Sequence, residues 1–201
     1  MINFFKAAQK LKVFLNKFTH PVFIFIILFC HAIFAQGKVE SPIVAERLQL
    51  KNIEQLFKDA KFQEMLKACE TSLVQYKQSL SFHYTCGLGY LYSETRSIGE
   101  RNKNLGKAIR LFEESEYAFA LNPRARTNHL NLLYHLGLAW QLSGNREMAI
   151  YTYKRLLVLD DRKLEAIYNL AVCFEQSGNT IEANRSFSRY LKIKIEGEEE
   201  F

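Results

Sequence analysis

Leu133-Tyr-His-Leu-Gly-Leu-Ala-Trp-Gln-Leu-Ser-Gly-Asn145 returns 34 positions later as Ile167-Tyr-Asn-Leu-Ala-Val-Cys-Phe-Glu-Gln-Ser-Gly-Asn179. The tripeptide Ser-Gly-Asn is unchanged, and its apolar surroundings keep their register. Leu133 pairs with Ile167, Tyr134 with Tyr168, Leu136 with Leu170, Gly137 with Ala171 and Trp140 with Phe174. Beyond the tripeptide, Ala149 pairs with Ala183 and Tyr153 with Phe187. Apolar residues fall three and four apart on both sides, the spacing of one stripe on a helix. Each unit therefore reads as two antiparallel helices joined at a glycine, the residue that leaves helical dihedrals without a Cβ penalty. The small residues Gly137 and Ala171 are expected to face Ala149 and Ala183 where the helices cross. A plain helical bundle would show similar stripes but would not repeat a turn sequence at a fixed distance.

The pattern resembles the tetratricopeptide repeat, a 34-residue helical pair with large, small and aromatic residues at fixed offsets. Leu133, Leu136, Gly137, Trp140, Ala149 and Tyr153 fill those places in one copy. Ile167, Leu170, Ala171, Phe174, Ala183 and Phe187 fill them in the next. The family's closing proline is absent from both, with Asp161 and Ile195 in its place. The resemblance implies an all-α, right-handed solenoid of antiparallel helix pairs, about four units over 46–197, followed by an acidic tail, 198–201. The units are 46–79, which is degenerate, with Met65 and Cys69 where alanine and an aromatic are usual; 80–129; 130–163; and 164–197. The second spans 50 residues, 16 too many, assigned to a polar stretch near Glu94 to Gly106 and a lengthened second helix.

At 201 residues and 48% apolar content the chain suffices for one core that buries roughly two-thirds of the unfolded surface. Its net charge of +6 is unevenly distributed: Lys6, Lys10, Lys12 and Lys17 lie in 1–35 with no acid, leaving 23 basic against 21 acidic groups beyond. No basic stripe marks the repeats, so no nucleic-acid partner is expected. After the lysines comes an apolar run from Pro21 to Ala35, then Gln36-Gly37-Lys38. This is the layout of a secretory signal peptide cut after Ala35, with an uncleaved signal anchor as the alternative; 36–45 is the linker. A lipid anchor through Cys30 is disfavoured by bulky Phe29. In either case the positive flank stays behind and the repeats leave the cytoplasm, for a bacterial periplasm or envelope. Membrane contact is expected only through the N-terminal segment, if it is uncleaved.

Without Cys30, an odd set remains: Cys69, Cys86 and Cys173. The preferred reading is three small buried hydrophobes; the alternative is a Cys69–Cys86 bridge, since their helices are neighbours in this architecture. His83, His129 and His135 lack ligands at metal spacing, and phosphate-loop and nucleophile-elbow patterns are missing. No cofactor, metal or catalytic residue is expected.

What the resemblance implies is a surface. First helices of such repeats line a groove through the second, fifth, sixth, ninth and twelfth places of each unit. Those places hold Tyr84 and Leu88; Asn131, Tyr134, His135, Leu138 and Gln141; and Tyr168, Asn169, Val172 and Glu175. Tyrosine recurs at the fifth place, giving either an amphipathic binding ladder or rings that pack on adjacent helices and rim the groove. Lysines and arginines that would clamp an acidic tail are missing from these places, so the expected partner is a protein or peptide with apolar or aromatic anchors. The implied function is a non-enzymatic, extracytoplasmic scaffold. The alternative is an accessory or regulatory subunit of an envelope enzyme or assembly, binding through the insertion near 94–106.

Overall fold

The computed structural model describes residues 41–121 and 126–199; the expected signal segment, most of the linker and the end of the acidic tail lie outside them. Glu46–Phe201 form one compact unit. The described residues form eight helices: α1 (Pro42–Lys58), α2 (Phe62–Gln75), α3 (Leu80–Tyr92), α4 (Ile98–Leu121), α5 (Arg126–Leu142), α6 (Arg146–Leu159), α7 (Leu164–Gln176) and α8 (Thr180–Glu199). Helix α3 packs on α4, α5 on α6 and α7 on α8, while α2–α3, α4–α5 and α6–α7 join successive pairs. The first helices α3, α5 and α7 also touch in sequence. The architecture is thus a solenoid of helix pairs.

The Ser-Gly-Asn turns show why the tripeptide recurs. Gly144 and Gly178 have φ of 85° and 77°, left-handed conformations. Asn145 N–H donates to Trp140 O and Gly144 N–H to Gln141 O, both at 3.1 Å, closing the end of α5; Asn179 and Gly178 repeat the pattern on α7 at 2.9 Å. The asparagine then caps the following helix, its Oδ1 accepting from Met148 N at 3.1 Å or Glu182 N at 3.3 Å. In the degenerate first unit the same turn is made by Ala60, at φ 55°.

At two helix crossings a glycine stands against an aromatic ring of the following helix. A Cβ on Gly87 would stand 2.6 Å from Phe112, and one on Gly137 would stand 2.6 Å from Tyr153. Both rings are fully buried. The glycine makes room for the aromatic of the second helix, which contributes about 1.5–3 kcal/mol by leaving water.

The 16 extra residues of the second unit are almost all helix. Phe112 follows Gly87 by 25 positions where Tyr153 follows Gly137 by 16, so nine are inserted ahead of the ring. Two lengthen the loop at 93–97, and seven add two turns to the front of α4. Ser97 Oγ accepts from Glu100 N at 3.1 Å while the Glu100 carboxylate accepts from Arg96 N at 2.9 Å, which starts the helix early. Arg101 Nη1 donates to Leu91 O at 2.8 Å and Asn104 Nδ2 to the buried Ser93 Oγ at 2.9 Å, fastening these turns to the end of α3. The other seven extend the end of α4 and the start of α5. Helix α1 likewise begins at Pro42, within the expected linker, because proline suits a first helical turn and Ser41 Oγ accepts from Val44 N at 3.3 Å.

Two apolar clusters share the interior. One gathers Ile53, Met65, Phe82, Leu105, Phe112 and Leu132 with their neighbours; the other gathers Leu133, Tyr153, Leu156, Ile167, Leu170 and Phe174 with theirs. Trp140 packs against both. Cys69 of α2 and Cys86 of α3 form a disulfide, with Cα atoms 5.7 Å apart, so the preferred sequence reading of three free thiols is corrected. The two cysteines fall where adjacent units meet, and the missing aromatic of the first unit is replaced there by a covalent staple. Cys173 is free and buried, and burial raises its thiol to about 11.

Candidate functional site

Helices α1, α3 and α5 present their repeat-register side chains along one face. Between α1 and α3 lies a cleft of ≈ 270 Å³, lined by Leu50, Glu54, Phe57 and Lys58 of α1 and Ser81, Tyr84, Thr85 and Leu88 of α3. Phe119 of α4 and Asn128 of α5 close one end. Its apolar lining is half-buried, and the charged Glu54 and Lys58 at its edge are both exposed.

Of the expected groove residues, Tyr84 and Leu88 line this cleft. Tyr84 packs edge-on against Phe119, with ring centroids 5.9 Å apart, and tilts against Phe112 at 6.0 Å. His135 sits at the centre of the aromatic group: Tyr134 is 5.2 Å away, Tyr92 5.8 Å and Tyr84 6.2 Å between centroids. Tyr92 Oη and His135 Nδ1 share a hydrogen bond of 3.2 Å. Burial first, and the Lys163 cation second, lower the imidazole to about 4, so it is neutral at physiological pH. Burial next to Tyr92 pushes the Tyr84 phenol up to about 12. These groups make an apolar surface edged with neutral hydroxyls. Leu138 packs against the first apolar cluster, and Asn131 is exposed.

Gln141 and Asn169 are placed differently. Gln141 Oε1 accepts from Tyr153 Oη at 3.1 Å, and Asn169 Nδ2 donates to the same oxygen at 3.2 Å. Together they satisfy the hydroxyl of a fully buried ring, which gives both amides a structural task. Tyr168 stands apart from the cleft, 47% exposed, its ring 5.8 Å from Phe187 and 5.4 Å from Tyr190 of α8. Val172 is half-buried and Glu175 exposed on the same helix. The three tyrosines thus lie in two aromatic groups, Tyr84 and Tyr134 around His135 and Tyr168 against α8.

Leu50, Phe57, Tyr92 and Phe119 belong to the site without having been expected there. Leu50, Glu54 and Phe57 occupy the fifth, ninth and twelfth places counted from Glu46, so the register of the degenerate unit already contained them. Phe119 comes from the lengthened end of α4, for which the repeat provides no register. Among the described residues there is no group of three or more metal-binding side chains, and no helix is long and apolar enough to cross a membrane.

The fold is that of a tetratricopeptide-repeat solenoid. Solved structures agree: the structure of "MamA MSR-1 C2" superposes with a TM-score of 0.63 at 19% identity, over 76% of this chain and 78% of that one. MamA from Desulfovibrio magneticus RS-1 gives 0.63 at 14% identity over 75% and 76%. TPR-like repeats of a kinesin light chain protein from Podosopora anserina give 0.59 at 15% over 75% and 74%. No protein-family profile and no curated sequence matches the chain.

Proposed function

We propose that this chain is a non-enzymatic protein-interaction module that holds a peptide or partner segment with apolar or aromatic anchors against the α1–α3–α5 face. The observation that carries the reading is the cleft itself. Leu50, Phe57, Tyr84, Leu88 and Phe119 offer adjacent half-buried apolar surface, while Glu54, Lys58, Ser81 and Asn128 supply polar edges that could orient a bound backbone. Half-buried aromatic side chains are strong anchors because they bring large area at low entropic cost. The module works outside the cytoplasm, in a bacterial periplasm or envelope. Two features support that location: the lysine-flanked apolar run ending at Ala35, and a disulfide of the kind that persists in oxidising compartments.

A photo-crosslinking amino acid placed at position 88 tests the site in envelope fractions. Capture of a partner from position 88, lost in Tyr84→Ala, is the expected result. Capture from position 98 alone would favour the accessory-subunit reading, since Ile98 at the front of the inserted turns is 81% exposed. Intact mass and thiol counting of the recovered protein test the location: a chain starting at Gln36 should carry one alkylatable thiol, Cys173, after denaturation without reductant. A full-length mass would leave the anchor instead of the cleaved signal.

A further inference from the structure

The repeat register also sets out three successive grooves between the second helices: α2 with α4, α4 with α6, and α6 with α8. In the first, Glu70 of α2 reaches Lys107 of α4 at 3.8 Å. In the second, the Glu116 carboxylate of α4 takes the Arg155 guanidinium of α6 in a two-pronged ion pair, with His129 Nε2 3.7 Å from the same carboxylate. Both of these grooves carry a carboxylate from the earlier helix against a cation from the later one, at different places of the unit. The third groove breaks this rule. Lys154 stands at the place of Glu70 and Glu113, and Leu157 at that of Glu116, while Arg189 keeps the place of Arg155.

The consequence is an open groove of ≈ 440 Å³ between α6 and α8, floored by Leu157, Leu170 and Phe174 and walled by Lys154, Arg185 and Arg189. Val158 on its rim is 84% exposed. The acids nearby do not complete it. Glu182 is taken up by Arg185 at 2.6 Å, and exposed Asp161 lies 3.9 Å from Arg189 while its carbonyl accepts from the same guanidinium. Lys154 has no carboxylate partner among the described residues, and its ammonium rests 5.3 Å over the Phe174 ring.

We infer that this groove is a second docking site and that its occupant is an acidic, amphipathic segment of a partner protein. An apolar side chain of that segment covers Leu157 and Phe174, and its carboxylates meet Lys154 and Arg189, supplying from outside what Glu70 and Glu116 supply from within. Charge-assisted bonds to a guanidinium are directional, so the pattern selects acids over amides as well as attracting them. The site is separate from the cleft between α1 and α3 and does not depend on it.

The test uses the full chain and a fluorescein-labelled peptide with leucine and phenylalanine three and four positions apart between glutamates, beside the same peptide with glutamines. Fluorescence anisotropy should show the glutamate peptide binding about tenfold or more tightly than its counterpart, with affinity falling as salt is raised. Lys154→Glu restores the carboxylate found at this place in the two preceding units and should weaken binding about tenfold without changing the circular dichroism. Val158→Asp, at an exposed position, should do the same. Tyr84→Ala combined with Leu88→Ala should leave binding unaltered. Absence of binding, equal binding of the two peptides, or undiminished binding to Lys154→Glu and Val158→Asp would overturn the inference. So would loss of binding in the Tyr84 and Leu88 variant, which would put the peptide in the other cleft.

Discussion

Ala60 carries the first unit's departure from the repeat. Its N–H donates to Phe57 O at 3.0 Å and that of Lys61 to Leu56 O at 2.9 Å, the same closing bonds made at Gly144 and Gly178. An L side chain in the left-handed region costs about 1–2 kcal/mol, from which the greater unfolded-state freedom of glycine subtracts roughly 0.5–1 kcal/mol. Ala60→Gly should therefore stabilise the protein by up to about 1 kcal/mol, a rise of roughly 2–4 °C in thermal midpoint for a chain of this size. Ala60→Val should lower it. A fall with Ala60→Gly in a thermal melt would show that the turn is not strained. The turn lies five residues before Met65, as Gly144 lies five before Ala149, so it keeps the register of the Ser-Gly-Asn tripeptide. The disulfide at Cys69, further along α2, was less legible. Whether two thiols bridge depends on the approach of α2 and α3, and one-dimensional spacing says only that the helices are neighbours.

Helices explain which parts of the site could be read in advance. Leu88 and Tyr84 follow from helical period and unit phase, so their places were readable; Gln141 and Asn169 share that phase yet turn to Tyr153, because a buried hydroxyl needs partners and the amides are within reach. Phe119 came from residues outside the 34-residue frame, and the early start of α4, read in the sequence as a polar stretch, became visible only with the Ser97–Glu100 capping contacts. The junction of α3 and α5 also has a pH signature. His135 is wedged among Tyr84, Tyr92 and Tyr134, and its folded value of about 4 lies below the ordinary imidazole value of 6.5. The unfolded chain then binds a proton at His135 before the folded one does. Stability from the neutral imidazole is fully present above pH 6.5 and is lost as pH falls toward 4, on the order of 3 kcal/mol in all. Denaturant midpoints at pH 7 and pH 4.5 should differ more for the native chain than for His135→Leu, which removes this contribution while leaving the carboxylates. An identical difference in both would refute the assignment.

At the scale of the whole solenoid, no unit buries its apolar face alone, so stability is a sum over neighbouring interfaces. Trp140 lies where the two clusters meet, and it is the sole tryptophan, which makes it an internal reporter of that interface. Ending the chain at Lys163 would remove Ala166, Ile167, Leu170, Cys173, Phe174 and Ala183 from the second cluster and uncover Tyr153, Leu156 and Leu157. The first cluster would keep its Cys69–Cys86 staple and the packing of α3 on α2 and α4. The truncated chain should therefore lose α5–α6 order before α2–α4 order. Its Trp140 emission should shift toward the red at a temperature where far-ultraviolet circular dichroism still reports most of the remaining helix. Hydrogen exchange would place the early loss between Arg126 and Leu159. Cooperative loss of fluorescence and helix signals together would instead mean that the two clusters form a single unit, with Trp140 inside one core and not at the joint between two.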